Sequence, residues 1–432
     1  MNYFHLIGYN GTNDFVLRLV LPVMGTSVMF FFGSIFFAPF LPAFFPYIIL
    51  AIGVLFTATY PIILHEKIKV DIHENIHLFI TYAGTISTLD IDRTSFFKKI
   101  AAKTEYGFIS KSAQKILYLA KSWNLGFAYA CRKVAKLSPS KMYADFLDRF
   151  AAIMDFGGNL GTFMIDEQDS MLDDYASEYR TSLNNINLLR EVFSALTIAM
   201  AFGISAALLL PLIMGISMVV VVRWSLLIIL VVDVFLILLV KNFIPGDDLI
   251  GKLKHKDKGV KKIRKSLIFI SPISFLIGFV FFYFKWLPFM FNIALAITPF
   301  LLTGYFASKE EKEVFERDKA YPSFVRALGT AIYSRQGGVA SSLRALRVHD
   351  FGVLNEMAIN LDRRLRIQSE KMKSWYFFAA ETGSNLISYF TTIFADSVYN
   401  GGNAQKIGEI VSKNFNKLIS LRVERQQLAS AL

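Results

Sequence analysis

A single cysteine, Cys131, stands in 432 residues, which excludes a disulfide framework and any multi-cysteine metal or iron–sulfur site. Charge is also scarce. Asp, Glu, Lys and Arg make up 19% of the chain, against roughly a quarter of a soluble domain, and none falls between Glu191 and Arg223. The amino end lacks a basic n-region and its first apolar stretch runs straight into a second, so residues 15–63 read as a retained hairpin rather than a cleaved signal. What is abundant is apolar: 54% hydrophobic and 15% aromatic residues, 42 of them Phe, with a mean hydropathy of +0.44. The apolar excess lies in discrete blocks, which excludes a soluble enzyme and a disordered scaffold alike.

A membrane span takes about 17–25 mostly apolar residues. Segments near 15–38, 40–63, 193–221, 224–240, 267–284 and 286–308 meet that requirement. They divide the chain into a hairpin at 1–63, a polar block at 64–192, a hairpin at 193–240, a loop at 241–266, a hairpin at 267–308 and a second polar block at 309–432. Six spans place both blocks and the loop on one side. The loop carries nine Lys and Arg against Asp247, Asp248 and Asp257, whereas the opposite turns carry only Arg223 and Lys285. Basic residues resist translocation, so the basic side is expected to be cytoplasmic. The expected fold is all-α: a polytopic helical membrane protein with two tandem cytoplasmic helical bundles of about six helices each.

The two polar blocks repeat one another. Phe150-Ala151 with Gly157-Gly158-Asn159 recurs as Phe394-Ala395 with Gly401-Gly402-Asn403, a shift of 244. Tyr106-Gly107 recurs as Phe351-Gly352, and Phe79 with Gly84-Thr85 recurs as Phe324 with Gly329-Thr330, both at 245. Ordered anchors at a nearly constant shift indicate tandem duplication. The Gly-Gly-Asn turns should supply positive-φ positions between helices. The counterpart of the span opening near 193 would fall near 438, past Leu432, and the expectation is that further spans follow there in the uninterrupted protein.

Several motifs mimic catalytic sites. His73-Glu74-Asn75-Ile76-His77 fits the H-E-x-x-H zinc-protease pattern. It has no metzincin continuation, because Ile80 stands where Gly is required, and the second copy has Asp318, Lys319, Ala320, Tyr321 and Pro322 at these positions. Gly246 to Leu253 approaches a Walker A loop, but Leu253 replaces the hydroxyl residue that holds Mg²⁺, and Asp247 and Asp248 would repel phosphate. Ser138-Pro139-Ser140-Lys141 matches S-x-x-K in letters only. Ser138 with Pro139 reads as a helix N-cap with Pro at the first helical position. His5, His65, His255 and His349 form no cluster, and Cys131, among Phe127, Ala128 and Val134, reads as core. Asp233 is the one carboxylate deep in a span and no charge lies within a turn of it, which suits a helix–helix hydrogen bond better than an ion path. The alternatives to a non-enzymatic reading are a zinc protease using His73, Glu74 and His77 and a secondary transporter using Asp233. No catalytic residue, cofactor or metal site is expected.

Charge is polarised within the blocks. Residues 64–150 carry 14 basic and 8 acidic side chains, residues 151–192 carry 2 and 8, and residues 309–432 carry 18 and 13. The acidic run Asp155, Asp166, Glu167, Asp169, Asp173, Asp174, Glu178 and Glu191 could meet a cation or a basic partner, or simply face solvent. Nucleic acid is not expected, because the basic residues carry no recognition motif and the aromatics concentrate in the spans. Basic surfaces beside a bilayer meet lipid headgroups or acidic proteins.

Tandem helical bundles, each followed by spans, resemble the platform protein family of type II secretion and type IV pilus machines (the type II secretion system F family). Trp123-Asn124, Ala130-Cys131-Arg132, Ser138-Pro139-Ser140, Ala144 to Phe150, and Asn159 with Asp166-Glu167-Gln168 look like the archaellum (archaeal flagellum) branch of that family. Tyr82, Ile86-Ser87-Thr88 and Glu105-Tyr106-Gly107 add to the likeness, which covers about 70–432. The resemblance implies a homodimeric, enzyme-free platform of an archaellum or archaeal type IV pilus in the cell membrane. Its cytoplasmic domains would seat on a hexameric secretion ATPase that drives extraction of archaellin- or pilin-like subunits into the filament, beside other motor-complex proteins and lipid. For docking the ATPase, the basic candidates are Lys254, Lys256, Lys258, Lys261, Lys262, Arg264 and Lys265 of the loop, then Arg363, Arg364 and Arg366.

Overall fold

The computed structural model describes residues 16–37, 45–89, 91–215, 217–243, 246, 248–251, 253, 258–284, 289–335, 338–367 and 370–430. Among them the chain is helical, with no strand beyond one isolated β-bridge, Ile250 to Ser384. A π-helical turn, Val16–Val20, leads into α1 (Leu21–Phe37). Then come α2 (Phe45–Ser87), α3 (Arg93–Ala102), α4 (Phe108–Ser122), α5 (Phe127–Ala135), α6 (Lys141–Asp155) and α7 (Leu160–Ala207). Next are α8 (Leu210–Met214), α9 (Met218–Phe243), α10 (Lys258–Phe284), α11 (Phe289–Ile297) and α12 (Phe300–Arg335). The chain closes with α13 (Val339–Ala345), α14 (Asn355–Ile367), α15 (Lys371–Thr382), α16 (Asn385–Tyr399) and α17 (Ala404–Ser430).

The duplication is visible element by element. Helices α2 to α7 correspond in order to α12 to α17, and α6 and α16 coincide at a shift of 244 at both ends. The expected positive-φ positions of the Gly-Gly-Asn turns are present, with φ of 69° at Gly157 and 92° at Gly401, and the anchors Gly107 and Gly352 also match each other at 53° and 58°. One capping expectation is corrected. The N-cap of α6 is Ser140, whose hydroxyl accepts from the Tyr143 amide, while Ser138 accepts from the Ser140 amide in the preceding loop. Pro139 therefore shapes the approach to the helix rather than its first turn.

By contacts the chain forms two units: Met1–Ala83 with Asp90–Met171, and Gly84–Leu89 with Leu172–Leu432. In the first, α6 buries Met142, Tyr143, Phe146, Leu147, Phe150, Ala151 and Met154 at helical spacing. Phe79 of α2 meets Tyr143 and Phe146 edge-on, and Phe96 stacks on Phe150. Cys131 is fully buried, and burial pushes its thiol well above the ordinary range, which leaves it inert at neutral pH.

In the second unit, α12 and α17 meet backbone to backbone. A Cβ on Gly329 would lie 2.4 Å from the Ala404 carbonyl oxygen and 3.1 Å from the Gly408 Cα, so hydrogen is the largest side chain the contact tolerates. Among the described residues three helices are long and apolar enough to cross a membrane: Leu160–Ala207, Met218–Lys241 and Gly259–Phe284. Phe291–Ile297 with Phe300–Arg335 makes a fourth if the pair, bent by 42°, is one span. The bend falls at Pro299, which cannot donate to the helical ladder. The segment expected as one span at 193–221 is likewise interrupted: α7 stops at Ala207, and α8, with Pro211 in its first turn, ends at Gly215 in the left-handed region. Of the two spans expected before residue 64, the described part of the first is a 17-residue helix, of which Leu21–Phe32 is a shorter apolar stretch, and the start of the second falls outside the described residues.

Gly329→Leu should force α12 and α17 apart and lower stability by about 2–3 kcal/mol, the usual cost of overpacking a tight contact. A thermal melt of the purified chain checks this, with the exposed Gly338→Leu as the control.

Candidate functional site: a loop strapped to the second bundle

The loop between α9 and α10 is tied down by its backbone. The Gly251 amide donates to the Gly383 carbonyl at 2.8 Å and the Asn385 amide donates to the Leu249 carbonyl at 3.0 Å, forming the bridge of Ile250 with Ser384. The turn it grips joins α15 to α16, and Gly383 there has φ of 66°. The Walker-like letters from Gly246 to Leu253 thus include a strap, Asp248–Gly251, laid on the second bundle.

Beneath the strap lies a network of buried ions. Asp318 is fully buried and accepts from Ser384 Oγ at 2.5 Å and from a terminal guanidinium nitrogen of Arg422 at 2.7 Å. Arg422 is also buried, and its other terminal nitrogen reaches the Asp248 carbonyl at 3.4 Å. One residue earlier, Arg317 donates to Glu310 at 3.1 Å, to Glu313 at 3.1 Å and to the Thr382 carbonyl at 3.0 Å. Glu310 in turn covers the first turn of α10: a Cβ on Gly259 would lie 1.6 Å from its carboxylate oxygen. A carboxylate there is favoured by the positive end of the helix dipole.

The same helix pair continues toward the apolar segment. Lys262 Nζ sits 4.2 Å from the Phe306 ring centroid, and Ser266 Oγ lies 3.1 Å from Thr303 Oγ1. Gly259 with Glu310, Lys262 with Phe306 and Ser266 with Thr303 are successive rungs of one antiparallel register. The start of α10, the turn 382–385, the strap and α17 are therefore joined by one polar cluster.

The expected docking residues separate into groups. Lys254 and Lys256 lie outside the described residues, and Lys258 opens α10. Lys261, Lys262, Arg264 and Lys265 are exposed on its first turns, a basic stripe that a helix places on one side. Arg363 is exposed, whereas Arg364 pairs with Glu381 and lies over Phe377, and Arg366 pairs with Asp362, which also binds Arg347 at 2.7 Å. The buried ions escaped the sequence reading, although they left a signal. Arg317 and Asp318 interrupt the apolar stripe Val314, Tyr321, Phe324, Val325 and Leu328, and Arg422 continues the stripe Val411, Phe415 and Leu418.

His73 and His77 are half-buried on α2 and Glu74 is exposed, and among the described residues no three His, Cys, Asp or Glu side chains gather to hold a metal. On the same helix Asp71 accepts from the Phe108 amide at 2.7 Å, holding the start of α4. Asp233 is half-buried on α9.

Three members of the acidic run are held in ion pairs. Glu167 is buried against Arg149, and Asp155 pairs with Arg132. Asp173 binds Lys417 at 2.5 Å, and Arg180 makes a two-pronged pair with Glu424 at 2.9 Å. Both of these pairs join positions exactly one repeat apart, which sets α7 and α17 side by side in parallel there. The Arg180 guanidinium, by hydrogen bond and charge, holds the Glu424 carboxyl below its ordinary value of 4.5.

An all-α polytopic helical membrane protein, with a loop strapped to the turn between α15 and α16, is the class this architecture defines. No family model and no solved structure matches the chain. A flagella accessory protein J of Methanocaldococcus jannaschii is 34% identical over 427 residues, covering 96% of this chain and 75% of the relative. The flagella accessory protein J of Methanococcus voltae is 31% identical over 428 residues, covering 96% and 76%. A further, uncharacterised protein of M. jannaschii is 24% identical over 416 residues. The chain belongs to the flagella accessory protein J family.

Asp318→Ala or Arg422→Ala should each cost about 3–5 kcal/mol, because each strands a buried charge. Asp318→Leu with Arg422→Met should recover much of that loss in a denaturant melt. The Glu424 contribution is complete above the ordinary glutamate range and is lost as pH falls through the depressed folded value. Arg180→Ala should therefore lower stability at neutral pH and flatten its acid dependence, and Arg180→Glu with Glu424→Arg should restore the neutral-pH stability.

Proposed function

We propose that this chain is the platform of an archaellum or archaeal type IV pilus machine, converting movement of a hexameric secretion ATPase into extraction and assembly of filament subunits. On this reading it has no catalytic centre. The blocks 64–192 and 309–432 face the cytoplasm, and the chain works as a dimer among other motor proteins and lipid. The observation that carries the proposal is the strap. Asp248–Gly251 ties the segment between two membrane helices to the turn 382–385 of a bundle large enough to receive a partner, and the ions beneath it leave little slack. A push on the bundle is then felt at the start of α10. The exposed basic stripe Lys261, Lys262, Arg264 and Lys265, with Lys254, Lys256 and Lys258 ahead of it, supplies the ATPase contact, and Arg363 a second one. Arg364 and Arg366 hold the bundle behind it.

Reversing Lys254, Lys256, Lys261 and Lys262 to Glu should weaken ATPase pull-down and make the remaining binding less sensitive to salt. Unchanged binding sinks the loop assignment. Gly251→Pro removes the amide that bonds Gly383, so ATPase binding should persist while filament assembly in cells falls.

A further inference from the structure

The α4–α5 hairpin of the first unit presents a surface that nothing above uses. From Lys111 to Lys136 the chain carries six basic residues and neither Asp nor Glu. Arg132 is answered by Asp155. Lys133 instead places its ammonium 6.0 Å from the Trp123 ring centroid and 5.9 Å from that of Tyr129. Lys115 stands near enough that burial first, and the charge of Lys133 second, push its amine below the ordinary lysine value. Lys133 thus lies beside two aromatic rings, with the second cation Lys115 close enough to feel its charge.

The rings are displayed rather than packed. Tyr118, Trp123 and Tyr129 are 56%, 58% and 52% exposed. The loop that carries Trp123 is held in an uncommon shape, with φ of 50° at Asn124 and 75° at Gly126, and the Leu125 amide bonds back to the Leu119 carbonyl at 3.4 Å. A non-glycine residue at positive φ costs backbone energy and marks a defined loop.

Along α2, the start of α5 is set back from the apolar stretch. Phe127, at the start of α5, stacks on Phe97 at 5.5 Å, and Phe97 meets Phe150, one turn beyond the contact of Phe146 with Phe79. Phe79 is 16 residues along α2 from Ile63, where the apolar stretch ends, about 24 Å at helical rise. Surface charge in a bilayer is screened within about 8 Å.

We infer that Tyr118, Trp123 and Tyr129, with Lys115 and Lys133, form a docking face for an acidic segment of a partner protein. Carboxylates would answer the two lysines, and apolar side chains between them would cover the rings. Aromatic anchors beside complementary charge are the usual make-up of an interface centre. The inference stands whether or not the basic loop binds an ATPase.

The test uses the full chain in phosphatidylcholine nanodiscs and a fluorescein-labelled peptide of alternating Glu and Leu as probe. Saturable binding is expected. It should weaken about tenfold or more in Lys115→Glu with Lys133→Glu, and several-fold in Trp123→Ala, whose exposed ring is not needed for folding. The loop variant with four lysines reversed should bind the probe as the wild type does, and should lose that binding when Lys115→Glu and Lys133→Glu are added to it. Absence of binding, or equal binding by wild type and both hairpin variants, overturns the proposal. Tighter binding of phosphatidylglycerol vesicles or single-stranded RNA through the same residues overturns it too.

Discussion

The buried pair of Asp318 and Arg422 is the constraint around which the second unit is arranged. Two charges removed from water are tolerable only where their geometry is good and their remaining hydrogen-bonding capacity is used. Both conditions draw in other elements. Asp318 takes the Ser384 hydroxyl, which also accepts from the Ile387 amide and so starts α16. Arg422 reaches the carbonyl of Asp248 and so fixes one end of the strap. Four segments distant in sequence are therefore tied together by one requirement for satisfied charge, and each would be looser with an apolar pair in its place.

That arrangement resists sliding between the strap, the turn 382–385 and α17. Apolar contacts slide at modest cost, whereas hydrogen bonds to buried ions and backbone bridges are directional and do not. The rungs from Gly259 and Glu310 to Ser266 and Thr303 continue the rigid connection into the apolar part of α10 and α12. Pro299, at the bend beyond them, is where the connection changes direction.

Much of this was written in the sequence. The duplication and its Gly turns could be read because a positive-φ turn demands particular residues at a fixed spacing, and Gly157 and Gly401 meet that demand. The apolar blocks announced the membrane helices, but Pro211 and Pro299 cut two of them where hydropathy alone saw continuity. The strap could not be read, since backbone hydrogen bonds leave no mark on side-chain identity. Arg364 and Arg366 looked like a free basic patch. The Asp362 pairing at four residues' distance lay within reach of helical spacing, and the Glu381 pairing did not. The candidate surface of α10 followed from charge counting, and the ionic cluster behind it required the fold.

The matched pairs of α7 and α17 bear on which copies of these helices meet. Had the two repeats stayed identical, position 173 would face a second aspartate and position 180 a second arginine, like against like. Lys417 and Glu424 make both encounters attractive. The same residues would leave two first-repeat helices mutually repulsive at these sites, so charge at 173 and 180 selects a second-repeat helix over a first-repeat one as the partner of α7.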